Sequence, residues 1–424
     1  MKPIELSAQD FIREDGCGRQ HRVLLKKALI AQDAMQGFDD VLHGCGFDGD
    51  FAVIYDENTY EALRGRRPKA KQEIILPPEH LHADERGVAL AEERLGDAKL
   101  LIAAGAGTVH DITRYLCAGR GLPFGSVPTA ASVDGFVSSV AAMTLGGYKV
   151  TVPSAAPEFL VADLDVIANA PMYLTASGLG DVLGKYVSLT DWEIGRVVTG
   201  EYHCRYTAEL TKAAADEACR SVEGIVRGEH AAYGALMKAL VLSGVAMQLS
   251  GNSRPASGAE HHVSHLIEMG TPWLPEVDAL HGEKVGVGTI LALETYRGWI
   301  GKVPDALAES AAAWSPYRRE QLEPVFGRLT EQVLRENRSC CLADVEPRRI
   351  AENWEEIQTL LRALPEAESV RALLAHVGGK TSLADLGIAG AAKERILTWS
   401  PVVRNRLTFM RLLHTLRLLQ ASEP

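Results

Sequence analysis

Residues 99–111 read KLLIAAGAGTVHD, an apolar run that opens directly into a glycine turn. The run 99–104 predicts a buried β-strand, and the helical pattern of residues 109–118 follows the turn. A strand, a glycine turn and a helix start form a typical pyrophosphate site, because backbone N–H groups and the helix dipole face the anion. The third glycine of the dinucleotide fingerprint is missing, so a plain tight turn remains the alternative.

Two further strands flank this turn in the predicted sheet. Residues 50–56 (DFAVIYD) form an apolar run that ends in Asp56. An acid at this position can hold the ribose hydroxyls of a nucleotide, or it can cap the helix predicted over residues 57–63. Residues 124–127 form the other strand and lead into PTAASVDGFVS at 128–138. The small hydroxylated residues there either bind phosphate or ribose, or cap a helix.

Histidines are concentrated in two short segments, SGAEHHVSHLIE at 257–268 and LHGEKVG at 280–286. His261 and His265 are four residues apart, so on a helix they share one face. Upstream, SGLGDVLGK at 177–185 contains Asp181. Two imidazoles and one carboxylate suit zinc, nickel or iron and leave coordination positions open for a substrate. From the spacing alone, a metal site and purely structural histidines are equally good interpretations, since the short HExxH motif is absent.

The chain is predicted to form two domains. Strand and helix patterns alternate over residues 21–165, with a last strand at 159–163, which indicates an α/β layer structure. From residue 171 the pattern is helical, including 206–226, 233–249 and 284–300. We therefore expect an α/β nucleotide-binding domain over residues 1–165 and an all-α domain over residues 166–424.

Composition limits the possible partners and the compartment. The 424 residues are 46% hydrophobic and carry a net charge of −11, which argues against general nucleic-acid binding. The seven cysteines form no CxxC pair, so a reducing cytoplasm is expected rather than a secreted disulfide framework. Residues 1–20 do not resemble a signal peptide. The longest apolar stretch, 239–249, is too short to span a bilayer.

The segment 402–420 carries four arginines and no acid between its apolar residues. A basic amphipathic helix of this kind can bind a membrane surface. The alternative, a terminal helix packed on the body of the protein or on a second copy, is favoured.

Taken in this order, the motifs resemble the iron-containing alcohol dehydrogenase and dehydroquinate synthase superfamily. Within it, SRPASGAEHH at 253–262 and GLGDVLGK at 178–185 are most similar to the sn-glycerol-1-phosphate dehydrogenase family. The resemblance covers roughly residues 20–300. It implies a dehydroquinate synthase-like fold with a metal in the cleft between a nucleotide domain and a helical domain.

The resemblance also implies roles for individual residues. Asp181, His261 and His281 are the expected ligands of one divalent metal, which would be zinc, nickel or iron. His265 and Asp134 are expected to contact the substrate, as is Asp181. The expected NAD or NADP cradle comprises Gly105, Ala106, Gly107, Thr108, Val109, Thr129, Ala130, Ala131, Ser132 and Ser138, to which the residue pattern alone adds Asp56. Ala106 departs from the family, which often has glycine there, and its extra methyl could crowd the pyrophosphate.

The implied reaction is reversible hydride transfer between NAD(P)H and C2 of a phosphorylated three-carbon substrate. In the reductive direction dihydroxyacetone phosphate would give sn-glycerol 1-phosphate, with the metal as a Lewis acid on the C2 oxygen. Lys185 and Arg254 are candidate phosphate ligands, and a homo-oligomer is expected. The alternatives are a glycerol dehydrogenase or another metal-dependent alcohol dehydrogenase, a dehydroquinate-synthase-like cyclase, and a silent regulator that binds metal or nucleotide.

Overall fold

The computed structural model describes residues 2–13, 16–303 and 316–419. It divides into two compact units, one formed by residues 1–182 and 209–252, the other by residues 183–208 and 253–424. The first unit is an α/β sheet structure and the second is helical, which confirms the predicted fold class.

The first unit is built on a seven-stranded sheet with the order β1-β2-β9-β6-β5-β3-β4. All pairs are parallel except the edge pair β1–β2, and β7 and β8 form a separate antiparallel hairpin. The strands are β1 Ile4–Ser7, β2 Lys27–Ala31, β3 Phe51–Asp56, β4 Gln72–Leu76, β5 Leu100–Gly105, β6 Phe124–Pro128, β7 Val140–Leu145, β8 Tyr148–Pro153 and β9 Phe159–Asp163.

Helices cover both faces of this sheet, so its central strands are buried on both sides, as parallel strands usually are. Alternate residues of β3 belong to different cores: Ile54 packs with one helical layer, and Val53 packs with the other. The helices of this unit are α1 Phe38–Gly44, α2 Glu57–Ala62, α3 Glu85–Glu92, α4 Gly107–Arg120, α5 Leu164–Ile167, α6 Met172–Leu183, α8 Arg205–Val226 and α9 His230–Ser250, with the ends of α6 and α8 reaching the second unit.

The division of the chain differs from the predicted boundary at residue 165, because helix α9 packs against the sheet-containing part of the first unit. Gln248 on α9 donates to the carbonyl of Val137 and accepts from the backbone N–H of Leu24 at 2.6 Å. His21 hydrogen-bonds the carbonyl of Leu249 at 2.9 Å. A helical pattern predicts the helix but not the core against which it packs.

Helix α9 is also longer than the apolar stretch recognised in the sequence. Among the described residues it is the one helix with the length and hydropathy to cross a membrane. In its apolar stretch of 18 residues, 78% of the residues are buried inside the fold. Burial of this kind is typical of a core helix in a globular protein.

The described residues of the second unit form helices joined by turns and loops, and none of them forms a β-strand. Its helices are α7 Lys185–Thr199, α10 Ala259–Glu268, α11 His281–Arg297, α12 Arg319–Phe326, α13 Thr330–Glu336, α14 Pro347–Glu352, α15 Trp354–Arg362, α16 Ala367–His376, α17 Lys393–Trp399 and α18 Phe409–Thr415. Helices α10 and α11 form its most extensive helix pair.

The basic segment near the C-terminus packs inside the second unit. Only Phe409–Thr415 of the predicted 402–420 helix is an α-helix, and Gln420 lies outside the described residues. Arg411 is fully buried and donates to the carbonyl of Pro401 and to Asn337, both at 2.8 Å. This agrees with a terminal helix that packs on the body of the protein.

Candidate functional site

The turn between β5 and α4 lies where the sequence predicts the pyrophosphate cradle. Helix α4 begins at Gly107, with Ala106 as its N-cap residue. The first N–H groups of a helix have no intrahelical partner, so this end is suited to an anion. A Cβ on Gly105 would lie 2.8 Å from Cβ of Val109, which explains the glycine there. Ala106 has φ −89° and ψ −167°, so the methyl group of this departure causes no backbone strain.

The loop after β6 lies beside this turn. Gly105 and Pro128 pair across β5 and β6, and Thr129 donates its backbone N–H to the carbonyl of Gly105 at 3.2 Å. Residues 129–132 are all buried. The hydroxyl of Ser132 has no hydrogen-bond partner within the described residues, so it is suited to bind a ligand.

Ser138 has a different position from the other predicted cradle residues. Its hydroxyl donates to the carbonyl of Val140 at 3.1 Å and accepts the Val140 N–H at 3.0 Å. The hydroxyl thus closes a local turn, and the role of Ser138 in cofactor binding stays a prediction.

Asp56 ends strand β3 and caps helix α2. Its Oδ1 accepts the backbone N–H of Thr59 at 2.8 Å, and the Thr59 hydroxyl accepts the Asp56 N–H at 3.0 Å. This is the helix-capping role that the sequence left open. A second role toward the ribose stays a prediction.

Asp134 and Asp181 are joined within the first unit. Oδ2 of Asp181 accepts the backbone N–H of Asp134 at 3.0 Å, while the Asp134 carboxylate accepts from the Ser243 hydroxyl at 2.8 Å. Asp181 is completely buried on α6. A Cβ on Gly178 would lie only 2.0 Å from the carbonyl oxygen of Ala131, so this glycine allows α6 to approach the loop after β6.

The three histidines of the second unit form one ring cluster. Helix α10 contains His261 and His265, whose ring centroids are 6.1 Å apart, and His281 begins helix α11. The His281 ring lies 5.3 Å from that of His261 and 6.0 Å from that of His265. A Cβ on Gly288 would lie 2.5 Å from the Glu260 carbonyl oxygen, so this glycine allows α10 and α11 to approach closely.

A carboxylate orients each of the two histidines expected to bind metal. Nδ1 of His261 lies 2.8 Å from Oε1 of Glu260, and Nδ1 of His281 lies 2.9 Å from Oε1 of Glu268. A proton on each Nδ1 leaves the lone pair of Nε2 for a metal, an arrangement that recurs in metal sites. The donor set of this unit therefore fits a divalent transition metal.

His265 has no such carboxylate bond, and its Nδ1 has no hydrogen-bond partner in the part of the chain that the structure describes. Burial lowers the pKa of His265 well below its usual value, and the charge of Glu268 opposes this only partly. Its neutral ring can accept or donate a hydrogen bond, as the expected substrate contact requires.

Both candidate phosphate ligands are bonded to their own unit. Lys185 donates to the carbonyl of Ala256 at 3.0 Å. Arg254 donates to the carbonyl of Leu407 at 2.7 Å and forms an ion pair with Glu201. Both cations therefore have structural partners.

Arg114 is a positioning residue that the sequence analysis missed. Its fully buried guanidinium donates to the carbonyls of Ser138 and Val140 at 2.8 and 2.9 Å, and also to those of Gly135 and Phe136. The loop that carries Asp134 is thus fixed to helix α4. The only signal in the sequence was an arginine within a helical pattern.

The chain is similar to known proteins in both sequence and fold. The model of the family described as iron-containing alcohol dehydrogenase matches residues 29–171. The fold is similar to a probable glycerol dehydrogenase from Sinorhizobium meliloti 1021, with a TM-score of 0.60, 18% identity and 90% of each chain covered. It is also similar to a sulfoacetaldehyde reductase from Bifidobacterium kashiwanohense in complex with NAD+, with a TM-score of 0.57, 15% identity, and 95% and 99% of the two chains covered. At these identities the likeness shows the fold alone.

Sequence relatives are much closer. A protein of Bacillus licheniformis named glycerol-1-phosphate dehydrogenase, NAD(P)+, is 33% identical over 416 residues, which are 95% of this chain and 92% of the relative. A protein of the same name from Pyrococcus furiosus is 37% identical over 298 residues, which are 69% of this chain and 84% of the relative. Identity of this extent over nearly the whole length shows that the chain belongs to the glycerol-1-phosphate dehydrogenase family.

Proposed function

We propose that the protein catalyses the reversible, metal-dependent reduction of dihydroxyacetone phosphate to sn-glycerol 1-phosphate with NAD(P)H. The observation that carries this proposal is the 33% identity to a glycerol-1-phosphate dehydrogenase along 95% of the chain. The carboxylate-oriented pair His261 and His281 supports the metal dependence. The open helix start at Gly107 supports the nucleotide cofactor.

The metal ligands in this proposal are Asp181, His261 and His281. One carboxylate and two imidazoles suit zinc, nickel or iron. When bound, the metal supplies a Lewis acid for the C2 oxygen of the substrate. Glu260 and Glu268 hold the two imidazole rings in orientation through their Nδ1 atoms.

The cofactor lies, in this proposal, along the carboxyl edge of the parallel sheet. Residues 105–109 contact the pyrophosphate, and residues 129–132 and Ser138 contact the adjoining parts of NAD or NADP. The buried Ser132 hydroxyl, without a partner among the described residues, supports this placement. Asp56 contacts the ribose in the same proposal, in addition to its capping bond.

The substrate contacts are His265 and Asp134, together with Asp181. Ser243 and the Asp134–Asp181 bond fix the two carboxylates, and Arg114 fixes the loop of Asp134. These residues orient C2 toward the nicotinamide and reduce the entropic cost of reaching the reactive geometry. The cytoplasm as the site of action and a homo-oligomeric state belong to the proposal too.

A spectrophotometric assay tests the function. NADH or NADPH oxidation is followed with dihydroxyacetone phosphate, with dihydroxyacetone and without substrate, each before and after added zinc, nickel or iron. We expect oxidation that requires the phosphorylated ketone and a metal. Equal rates with dihydroxyacetone would instead indicate a glycerol dehydrogenase, and no oxidation with any ketone would overturn the proposal.

A further inference from the structure

The N-terminus of helix α10, which carries His261 and His265, is capped from another helix. Its N-cap residue is Gly258, which has no side chain, and the first N–H groups of a helix need acceptors from elsewhere. Asp191 on helix α7 supplies one of them, because its Oδ2 accepts the backbone N–H of Ala259 at 2.8 Å. The helix dipole also favours a carboxylate at this end. The start of the histidine helix is therefore fixed to α7.

The glycine at position 258 allows the two helices to meet. A Cβ there would lie 2.6 Å from Oδ2 of Asp191 and 2.8 Å from Cα of Ser188, which is also on α7. The same Cβ would lie 2.9 Å from Oε2 of Glu260, whose other carboxylate oxygen orients His261. A larger residue would therefore push α10 away from α7 at the point where the two carboxylates come together.

Asp191 also binds the two other helices of this region. Its Oδ1 accepts from the Tyr296 hydroxyl, on α11, at 2.7 Å and from the backbone N–H of Phe409, at the start of α18, at 2.8 Å. Asp191 is completely buried. One carboxylate on α7 thus holds α10, α11 and α18 through three hydrogen bonds. A buried donor that loses such an acceptor is costly, because no water replaces it.

The turn that precedes α18 is bound to the segment that precedes α10. Arg406 donates to the carbonyl of Ser257 and to the hydroxyl of Ser253, both at 2.9 Å. In the opposite direction, Arg254 donates to the carbonyl of Leu407 at 2.7 Å. The start of α18 and the start of α10 are therefore held at a fixed separation, with the α7 carboxylate bonded to both.

The position of α10 determines how its histidines meet the one that begins α11. Glu268, the last residue of α10, bonds His281 at 2.9 Å, and the His281 ring lies 5.3 Å from that of His261. Helix α10 is thus held at both ends, by Asp191 at its start and by Glu268 at its end. Side chains that bind one metal must keep their geometry to within about 0.5 Å. A small shift of α10 along α11 would therefore disturb the proposed ligands.

We propose that Asp191 is a positioning residue for the metal site, because it fixes α10 on α11 and thereby sets the separation of His261 and His281. This inference rests on the proposed ligands and adds a residue that acts on them through the backbone of α10. Tyr296 is the second positioning residue, since its hydroxyl links the same carboxylate to α11. The C-terminal segment takes part as well, because the Phe409 N–H is one of the three donors.

The test uses the full-length protein from which metal is removed and then restored. Asp191→Asn keeps the shape of the side chain but turns one acceptor oxygen into a donor, and Tyr296→Phe removes only the link to α11. Gln358→Ala is the matched control, because Gln358 is also buried and bonds three backbone groups just after α11. Zinc affinity is measured by competition with a chelator. The visible spectrum of the cobalt-loaded protein reports the ligand geometry, and thermal unfolding of the metal-free protein checks folding.

Asp191→Asn should lower the zinc affinity about 10- to 100-fold, as for other partners that orient metal ligands, and should change the cobalt spectrum. Tyr296→Phe should act in the same direction by a smaller factor. Gln358→Ala should lower the unfolding temperature but leave the zinc affinity and the cobalt spectrum unchanged.

Wild-type zinc affinity and cobalt spectrum in folded Asp191→Asn would overturn the inference, and if that variant does not fold, the same result in Tyr296→Phe would do so. An equal loss of zinc affinity in Gln358→Ala would also overturn it, because the effect would then follow from stability alone. A wild-type protein that binds no metal would overturn the proposed ligand set instead, which separates the two failures.

Discussion

Oε1 of Glu260 lies 2.8 Å from Nδ1 of His261, the next residue along helix α10. The same oxygen accepts the backbone N–H of Gly258 at 2.7 Å, so the carboxylate is fixed from two sides. Glu268 and His281 repeat the relationship at 2.9 Å. Two histidines with the same carboxylate bond fit a shared role as metal ligands better than two unrelated structural roles.

Replacement of Glu260 by glutamine should weaken metal binding. The amide keeps the shape of the side chain but removes the charge that makes the His261 ring a better donor to metal. We expect metal affinity to fall about 10- to 100-fold, as for other ligand-orienting partners. The metal affinity is measured by competition with a chelator. The control, Glu276→Gln, changes an exposed glutamate of the same unit, and equal affinity in all three proteins would contradict the orienting role.

Removal of a proposed ligand should have a larger effect than removal of its orienting partner. His281→Ala deletes an imidazole and should abolish both stoichiometric metal retention and turnover. Elemental analysis of the purified protein and the rate of NADH oxidation measure the two effects. A variant that keeps one metal per chain and a normal rate would show that the ligand set is wrong.

The helix start at Gly107 should tolerate no branched side chain when the cofactor binds. A Cβ there would lie 3.2 Å from Cγ1 of Val133, and a valine would also block approach of the pyrophosphate to the backbone. Gly107→Val should raise the cofactor KM at least about tenfold, because a change of this size corresponds to the loss of one charge-assisted bond. The metal content should stay normal. Gly119→Ala on the same helix meets no atom within 4 Å and is the control. Unchanged cofactor affinity in folded Gly107→Val would contradict the cradle.

His110 should make the protein sensitive to mild acid. Burial lowers its pKa to about 3, while the bond from Nδ1 to the Ala106 carbonyl at 2.9 Å acts against this. The folded pKa lies below the unfolded value of about 6.5. Below pH 6.5 the unfolded chain therefore binds a proton that the folded chain does not, and stability falls as the pH drops toward 3.

Urea unfolding between pH 7.5 and 5 measures this effect against His110→Gln. The stability of the wild type relative to the variant should fall by up to about 1.4 kcal/mol per pH unit below 6.5. His43→Gln, which changes an exposed histidine, should follow the wild type. A constant difference between wild type and His110→Gln across this range would show that His110 does not titrate as described.

Local sequence patterns predicted four of the seven strands of the large sheet and missed β1, β2 and β4. Strand β9 has the predicted bounds, and β3, β5 and β6 differ from prediction by about one residue, because each is a short apolar run buried on both faces. The hairpin β7–β8 was not predicted. One of its strands, Val140–Leu145, reads VAAMTL and is apolar at five of six positions, so its sequence shows no two-residue period although its burial alternates.

Long-range partners were the part that local patterns could not supply. The histidines were recognisable from spacing, but the bond between Glu268 and His281 depends on how α10 packs against α11. The same holds for Arg114, because its acceptors in the loop of Asp134, the carbonyls of Gly135, Phe136, Ser138 and Val140, lie more than twenty residues away along the chain. The sequence composition did not indicate that Gln248 joins α9 to the rest of the first unit through its hydrogen bonds to Val137 and Leu24.

The configuration of the product tests the central claim most directly. The wild-type protein, loaded with metal, is incubated with dihydroxyacetone phosphate and NADH or NADPH, and the glycerol phosphate formed is analysed with a stereospecific glycerol-3-phosphate dehydrogenase. The account predicts sn-glycerol 1-phosphate, which that enzyme does not oxidise. Formation of sn-glycerol 3-phosphate would contradict the proposed reaction, although it would leave the fold and the histidine cluster as described.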